Sequence, residues 1–306
     1  MNTPTNIDID KTSDFIVSCF QLVQEQGAPI RGSIHSVYKH TVNLQFGDNL
    51  IALQSAGSPA SPVSVILPLS GDQMDDLKLT QLTPCFLYGD SIEIHDQNSL
   101  ILIHYKDCTA VYTSKNPSLS NCGALKEALN MQIQRSDKGG FSTILNEPNE
   151  EPADMILAGA LKRLHKSEEF LSADKPEEAA KNLAEVIGLG TGLTPSGDDF
   201  LCGVLSVLQS TEAAKSTFHS TLEESIQQNV YRTNDISGEF LRAASNGRYS
   251  EPVVNLFTAA SSGESNLQKY TEEFLKIGHS SGIDTLCGMF WGLTHVLGAP
   301  TYSVHR

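Results

Sequence analysis

The stretch Ala179-Ala-Lys-Asn-Leu-Ala-Glu-Val-Ile187 runs directly into Gly188-Leu-Gly-Thr-Gly-Leu-Thr-Pro-Ser-Gly-Asp-Asp-Phe-Leu-Cys-Gly203. Its first part has helical apolar spacing, which decides the fold of the half of the chain that contains it. A dinucleotide-binding turn follows a strand and reads GxGxxG, whereas here a helix leads into GxGxG. A Walker loop ends in Gly-Lys-Ser/Thr, and this loop has no lysine. The glycines therefore join two helices, and a doubly wound nucleotide fold is set aside.

Gly188, Gly190 and Gly192 sit at alternate positions, a spacing that can turn successive N–H groups toward one point as an anion nest. Thr191, Thr194 and Ser196 add hydroxyls, and Pro195 stiffens the loop and keeps Thr194 extended. Ser196, followed by Gly197, is read as the cap of the next helix, whose partially positive end suits a phosphate or carboxylate. Asp198 and Asp199 oppose that reading unless a metal or an arginine intervenes. They are compatible with Mg²⁺ bridging to a phosphate. One of them can instead act as a general base or accept an amide N–H. The plain alternative is that both only complement the helix dipole.

The motif has an echo 85 residues on: Ser196-Gly197-x-Asp199-x-Leu201-Cys202-Gly203 recurs as Ser281-Gly282-x-Asp284-x-Leu286-Cys287-Gly288. Small residues at Gly203, Ser206, Gly288 and Gly292 would let the two helices approach closely. The expectation is that both helix N-termini converge on one pocket, with Ser280, Ser281 and Gly282 on the second side and His279 at the rim. Having a counterpart in Asp284, Asp199 ranks above Asp198 as the reactive acid, and Asp198 is expected to tolerate substitution better. Between the copies, Tyr231-Arg-Thr-Asn-Asp-Ile-Ser-Gly-Glu239 offers Arg232 as a counter-charge, Thr233 and Asn234 as caps, and Ser237 as a further hydroxyl. The bland readings are an exposed His279, a surface ion pair for Arg232 and a helix-face His295. No Ser-His-Asp or Cys-His spacing marks a nucleophile.

Outward from the motif, the expected fold class is α+β: a small antiparallel β barrel or sandwich followed by a larger all-α domain. Residues 1–27 read as a polar lead with a short helix, Asp14 to Gln24. Residues 28–114 alternate in short runs (Ser33–Phe46, Leu50–Gln54, Val63–Leu69, Cys85–Leu87, Ser91–His95, Leu100–His104, Cys108–Tyr112) broken by turn signals. Lys39, His40 and Asn43 interrupt an apolar alternation and read either as exposed strand residues or as contributors to the pocket. Residues 115–306 read as helices, the first capped by Asn121 or Ser120, with a flexible break at Ser136-Asp-Lys-Gly-Gly140. Pro176 fits a first helical turn after the cap Asp174.

With 21 Lys+Arg against 36 Asp+Glu, the net charge of −15 argues against nucleic acid and anionic membranes as partners. A small anionic substrate stays open, because local groups set a site. The six cysteines are scattered without CxxC, which argues against a zinc site or a disulfide framework. The N-terminus is polar, unlike a signal peptide, and no apolar run is long enough to span a bilayer. A cytoplasmic setting is expected.

The glycine–aspartate block GLGTGLTPSGDDFLCG resembles the signature of the AllH-like proteins. SVYKHTVNL (36–44), RTNDIS and FLRAASNG (232–247) and GHSSGIDTLCGMFWGL (278–293) are similar to the family's weaker blocks. The resemblance spans roughly residues 30 to 297. It implies a subunit of an oxamate carbamoyltransferase, which interconverts oxalurate plus phosphate with oxamate plus carbamoyl phosphate in allantoin (purine) catabolism. It further implies AllF-like and AllG-like partner subunits. No catalytic residue is carried over with it. Two other readings stay open at this point: a non-catalytic ligand-binding or scaffolding subunit, and a stand-alone Mg²⁺-dependent transferase acting on a small carboxylate or phosphate.

Overall fold

The computed structural model describes residues 4–96, 99–106, 108–119, 122–147, 150 and 152–298. The chain divides into two compact units, residues 1–114 and 115–306. The expected cap at Asn121 or Ser120 lies outside the described residues.

The first unit holds β1 (Thr5–Asp8), β2 (Lys11–Ser13), α1 (Asp14–Gln26), β3 (Ile30–Tyr38), β4 (Thr41–Phe46), β5 (Asn49–Gln54), β6 (Ser64–Ile66), α2 (Gly71–Asp76), β7 (Pro84–Leu87), β8 (Ser91–His95), β9 (Leu100–His104) and β10 (Ala110–Tyr112). The strands form one curled ten-stranded sheet in the order β1-β9-β8-β7-β3-β4-β5-β6-β2-β10. β1 and β2 stand near opposite ends of that order, yet only Ile9 and Asp10 separate them. Ile9 N–H bonds to His104 C=O and Asp10 N–H to Ile66 C=O, both at 2.9 Å, so the sheet must curl until its ends approach. Alternating Val42, Leu44, Phe46, Ile51, Leu53, Ile92, Ile94, Ile101 and Ile103 fill the core, and α1 adds Ile16, Phe20 and Val23 to it. The sheet is mixed, because β1–β9, β2–β10 and β5–β6 are parallel. Two strands fall in the polar lead, where the sequence pattern shows none.

Lys39 and His40 turn out to form the turn between β3 and β4. Their partners lie in this same unit: Lys39 pairs with Asp72 at 3.0 Å, His40 meets Ser55 Oγ at 3.0 Å, and Asn43 donates to Ser36 Oγ at 2.9 Å.

The second unit is helical: α3 (Gly123–Gln134), α4 (Phe141–Asn146), α5 (Met155–Ser172), α6 (Pro176–Leu183), α7 (Ser196–Gln209), α8 (Thr217–Asn229), α9 (Asp235–Ser245), α10 (Glu251–Ser261), α11 (Gln268–Glu272) and α12 (Ser281–Trp291). α7 and α12 are apolar around most of their circumference, as central helices must be. Phe200 links them to the rest of the core, stacking on Phe141 at 4.5 Å and leaning on Trp291 at 6.1 Å. α4 was not foreseen, since Gly139-Gly140 reads as a break. Lys175, not Asp174, is the N-cap of α6, and Pro176 takes the first turn as expected. No helix among the described residues is long and apolar enough to cross a membrane.

Candidate functional site

α7 and α12 touch backbone to backbone at the echoed glycines. A Cβ on Gly203 would lie 2.0 Å from the Thr285 carbonyl oxygen, and one on Gly288 would lie 1.9 Å from that of Phe200. Each glycine thus packs on the residue that corresponds to the other's partner, 85 positions away. The helices are exchanged by a local two-fold relation, and only glycine permits the approach.

The relation extends upstream. A 3₁₀ turn, Ala184–Val186, leads to extended Ile187 and then Gly188 at φ +75°. A second 3₁₀ turn, Glu273–Lys276, leads to extended Ile277 and then Gly278 at φ +56°. A Cβ on Gly197 would meet Val186 C=O at 2.1 Å, and one on Gly282 would meet Phe274 C=O at 1.9 Å, so each helix start is pressed on its own lead-in turn. The copies differ in the loop. Two residues separate Gly278 from Ser281, whereas seven separate Gly188 from Ser196.

Asp198 is buried and holds the first loop together. Gly188 N–H donates to its Oδ1 at 2.8 Å, and Thr233 Oγ1 (2.5 Å) and Ser237 Oγ (2.7 Å) donate to its Oδ2. Burial pushes its carboxyl up from the ordinary range. The Thr233, Gly188 and Ser237 hydrogen bonds and the charge of Arg232 pull it back. Asn234 caps α9 at Ser237 N–H and also donates to Leu193 C=O at 2.9 Å, tying down the loop tip. Both oxygens of Asp198 are engaged by the chain, which turns its carboxyl toward Gly188 and α9. Adjacent positions on a helix also point about 100° apart. Among the described residues no group of three or more His, Cys, Asp or Glu side chains is gathered in one place.

Asp199 and Asp284 are the acids brought together. The hydroxyls of Ser281 and Thr194 lie against Asp199, and those of Ser196 and Ser280 against Asp284, so each helix's first serine serves the other helix's aspartate. Thr194 and Ser281 hydroxyls also join each other at 2.7 Å. Asp284 is fully buried, and Phe141 N–H donates to its Oδ1 at 2.7 Å. Gly140 (φ +67°) closes over it: a Cβ there would fall 2.3 Å from that oxygen. The Oδ2 atoms of both aspartates are shut from solvent and have no hydrogen-bond partner. Burial, and then the charge of Asp284, drive Asp199 well above the usual carboxylate range. Burial pushes Asp284 up to about 6 against the hydrogen bonds of Phe141, Ser196 and Ser280. Although its Oδ2 is closed off, Asp199 as a residue is only partly buried, whereas Asp284 is buried.

The remaining expected residues are placed as follows. Ser196 does not cap α7; Pro195 is the N-cap and Ser196 the first helical residue, its hydroxyl lying against Asp284. The helix end is largely closed to an anion. Gly197 N–H is taken by Leu189 C=O at 2.8 Å, Asp198 and Asp199 N–H by Pro195 C=O at 2.9 and 3.3 Å, and Gly190 lies against Ser196 N. Gly188 N–H is spent on Asp198. Among the described residues the N–H groups of Gly190, Thr191, Gly192, Leu193 and Thr194 stay free of intrachain bonds, on a loop whose tip, Thr191 to Leu193, is exposed. Gly190 and Gly192 take φ of +136° and +99°, conformations that L side chains rarely adopt. Arg232 is exposed and donates to Glu185 C=O at 3.3 Å, beside Asp198. Ser280 is the N-cap of α12 without a side-chain cap bond, and His279 is exposed in the turn before it. His295 stacks on Trp291 and pairs with Glu168 at 3.5 Å. Cys202 and Cys287 thiols are held far above their ordinary range by burial, which removes them as thiolate nucleophiles. A cavity of about 690 Å³ lies away from this crossing, between α5 and α6, with Lys162, Arg163, His165 and Lys166 on one wall and Asn182 and Glu185 on the other.

Gly140 and Phe141, which shield Asp284, were missed in the sequence. A glycine pair is a readable signal of close approach, but the carboxyl that Gly140 approaches belongs to Asp284, far along the chain.

Residues 186–293 match the family profile described as oxamate carbamoyltransferase subunit AllH, and residues 5–109 match that of the AllH family N-terminal domain. The chain belongs to the AllH family. The AllH match begins at the 3₁₀ turn before Gly188 and ends just after α12, so it brackets both copies of the motif. No solved structure matches the chain.

Proposed function

We propose that this chain is the AllH-type subunit of an oxamate carbamoyltransferase and that the α7–α12 crossing, with the loop over it, is its substrate-facing site. The observation that carries this reading is the departure from two-fold symmetry. The second copy reaches its helix from Gly278 with two intervening residues; the first uses seven. The additional residues are therefore not needed to start a helix. They leave five consecutive N–H groups free, beside the partly buried Asp199. Small anions with amide groups, such as oxalurate, oxamate and carbamoyl phosphate, suit such a surface: free N–H groups for the carboxylate or phosphate, and a carboxyl for the amide. Arg232, at the edge, supplies positive charge. In a family described as a subunit, AllF-like and AllG-like partners complete the enzyme.

The ligand-binding, non-catalytic reading is favoured by one feature: Asp198 is engaged by Gly188, Thr233 and Ser237, and Asp284 by Phe141 and Ser196, rather than facing outward.

A loop-shortened chain lacking Gly190–Thr194 restores the spacing of the second copy. It is expected to fold with its helical content intact and to lose binding of carbamoyl phosphate and oxamate by isothermal titration. Reconstituted with partner subunits, it should also lose phosphorolysis of oxalurate. Binding at wild-type affinity would refute the site. Lost binding with retained turnover would move the catalytic centre to the partners.

A further inference from the structure

We propose that Asp199 and Asp284 hold one proton between them and that Asp199, carrying it, meets the substrate as a proton donor rather than as a base. The shared proton follows from the chain alone; the role toward substrate rests on the reading of the α7–α12 crossing as the site.

Two buried carboxyl oxygens, Asp199 Oδ2 and Asp284 Oδ2, lack any donor, although the two acids lie close enough to repel. Leaving both ionised and unpaired in a water-excluded place is the costliest arrangement available. Among the described residues, no Lys, Arg or His is among the groups that act on either carboxyl. From α7 the neighbours are Asp198, itself an acid, and the protonated thiol of Cys202. From α12 they are Ser280, Ser281 and the protonated thiol of Cys287. From α4 there is only the Phe141 N–H, since Lys138 ahead of it turns its ammonium to Leu275 C=O. Arg232 acts on Asp198 instead. A proton on one carboxyl satisfies the pair without importing anything, as two like acids in one site require.

The partners decide which carboxyl carries it. Asp284 accepts a charge-stabilising N–H from Phe141 beneath the Gly140 lid and is sealed from solvent. Asp199 has hydroxyls alone and is the more exposed residue. Asp284 is thus a positioning residue that keeps the proton on Asp199. In the reaction proposed above, phosphate oxygen forms a bond to the carbamoyl carbon of oxalurate and the C–N bond breaks with its electron pair on nitrogen. The Asp199 proton goes to that nitrogen, giving oxamate, and the proton of the attacking hydrogen phosphate returns to the pair.

The test is a carboxyl-carbon NMR titration of the full chain labelled at aspartate, with Asp199→Asn and Asp284→Asn to assign the signals. One carboxyl of the pair should remain protonated at neutral pH, and Asp284→Asn should lower the Asp199 midpoint by at least about one pH unit. Ser281→Ala, which removes a single hydroxyl, should raise that midpoint and keeps the test available if an asparagine variant does not fold. Two carboxylates ionised at mildly acid pH, or an Asp199 midpoint unmoved by Asp284→Asn, overturns the shared proton. Loss of the proton on adding millimolar Mg²⁺ also overturns it, in favour of a cation site. Carbamoyl phosphate or oxamate should shift the Asp199 signal. No shift, with the titration as expected, removes the role toward substrate and leaves the shared proton standing.

Discussion

Replacing Gly203 or Gly288 with alanine tests the crossing on which the site depends. The added Cβ would stand 2.0 or 1.9 Å from a backbone oxygen of the opposite helix, where contacts under 3.0 Å are essentially never seen. Neither oxygen can rotate away, so α7 and α12 must separate by about 1 Å. A gap of that size forfeits roughly a quarter to a half of each dispersion contact along the seam. Overpacking a core costs about 1–3 kcal/mol, and a backbone-to-backbone contact belongs at the upper end. Alanine recovers about 1 kcal/mol through helix propensity. Each variant should therefore lose about 2 kcal/mol. Because one displacement relieves both clashes, the double variant should cost little more than either single, a coupling of about 2 kcal/mol against additivity. The chain has a single tryptophan, Trp291, buried in α12, so its fluorescence during urea unfolding reports the helical unit alone. Additive losses in the double variant, or single variants within about 0.5 kcal/mol of wild type, would refute the reciprocal packing.

Asp198→Ala strands one backbone N–H and two hydroxyls in a buried place, and should cost the helical unit about 3–5 kcal/mol by urea unfolding. Asp198→Asn, which keeps one acceptor, should cost less, and the rank order expected from the echo alone, with Asp198 the tolerant acid, should reverse. Stability should also carry the signature of Asp284. Its carboxyl, at about 6 in the folded chain against an ordinary 3.8, binds its proton more tightly when folded. Its stabilising contribution is full below about 4 and is lost as pH rises through about 6, the opposite of a salt-bridged aspartate. The wild type should lose up to about 3 kcal/mol relative to Asp284→Asn across that window, measured as the difference between their thermal unfolding curves. A difference that does not change with pH would mean that Asp284 ionises freely in the folded chain.

The parts of this fold that were legible in the sequence are those where local chemistry and long-range geometry coincide. The Ser-Gly-x-Asp-x-Leu-Cys-Gly echo was readable because the same residues start the helix, set the close approach and place the acid. The β-then-α order was readable from a change of period near residue 114. β1 and β2 were not, since strands of four and three residues in a polar segment, paired in parallel with β9 and β10, leave no alternation to detect. The partners of the two adjacent aspartates were not legible for a related reason. Nothing near Asp198 announces that Thr233 and Ser237, 35 and 39 positions on, will occupy it. Nothing near Ser196 shows that its hydroxyl serves Asp284 rather than its own helix. A cap residue is identified by what its neighbours need, and here the backbone N–H groups of Asp198 and Asp199 already bond to Pro195 C=O, whereas a buried carboxyl across the two-fold has an oxygen that lacks a donor. The same reasoning bears on the loop. Symmetry accounts for the acids, the serines and the glycines of the crossing, so it cannot account for five residues present on one side only. That asymmetry, rather than the conspicuous Asp-Asp pair, is the feature that the fold alone does not require, and the proposed site rests on it.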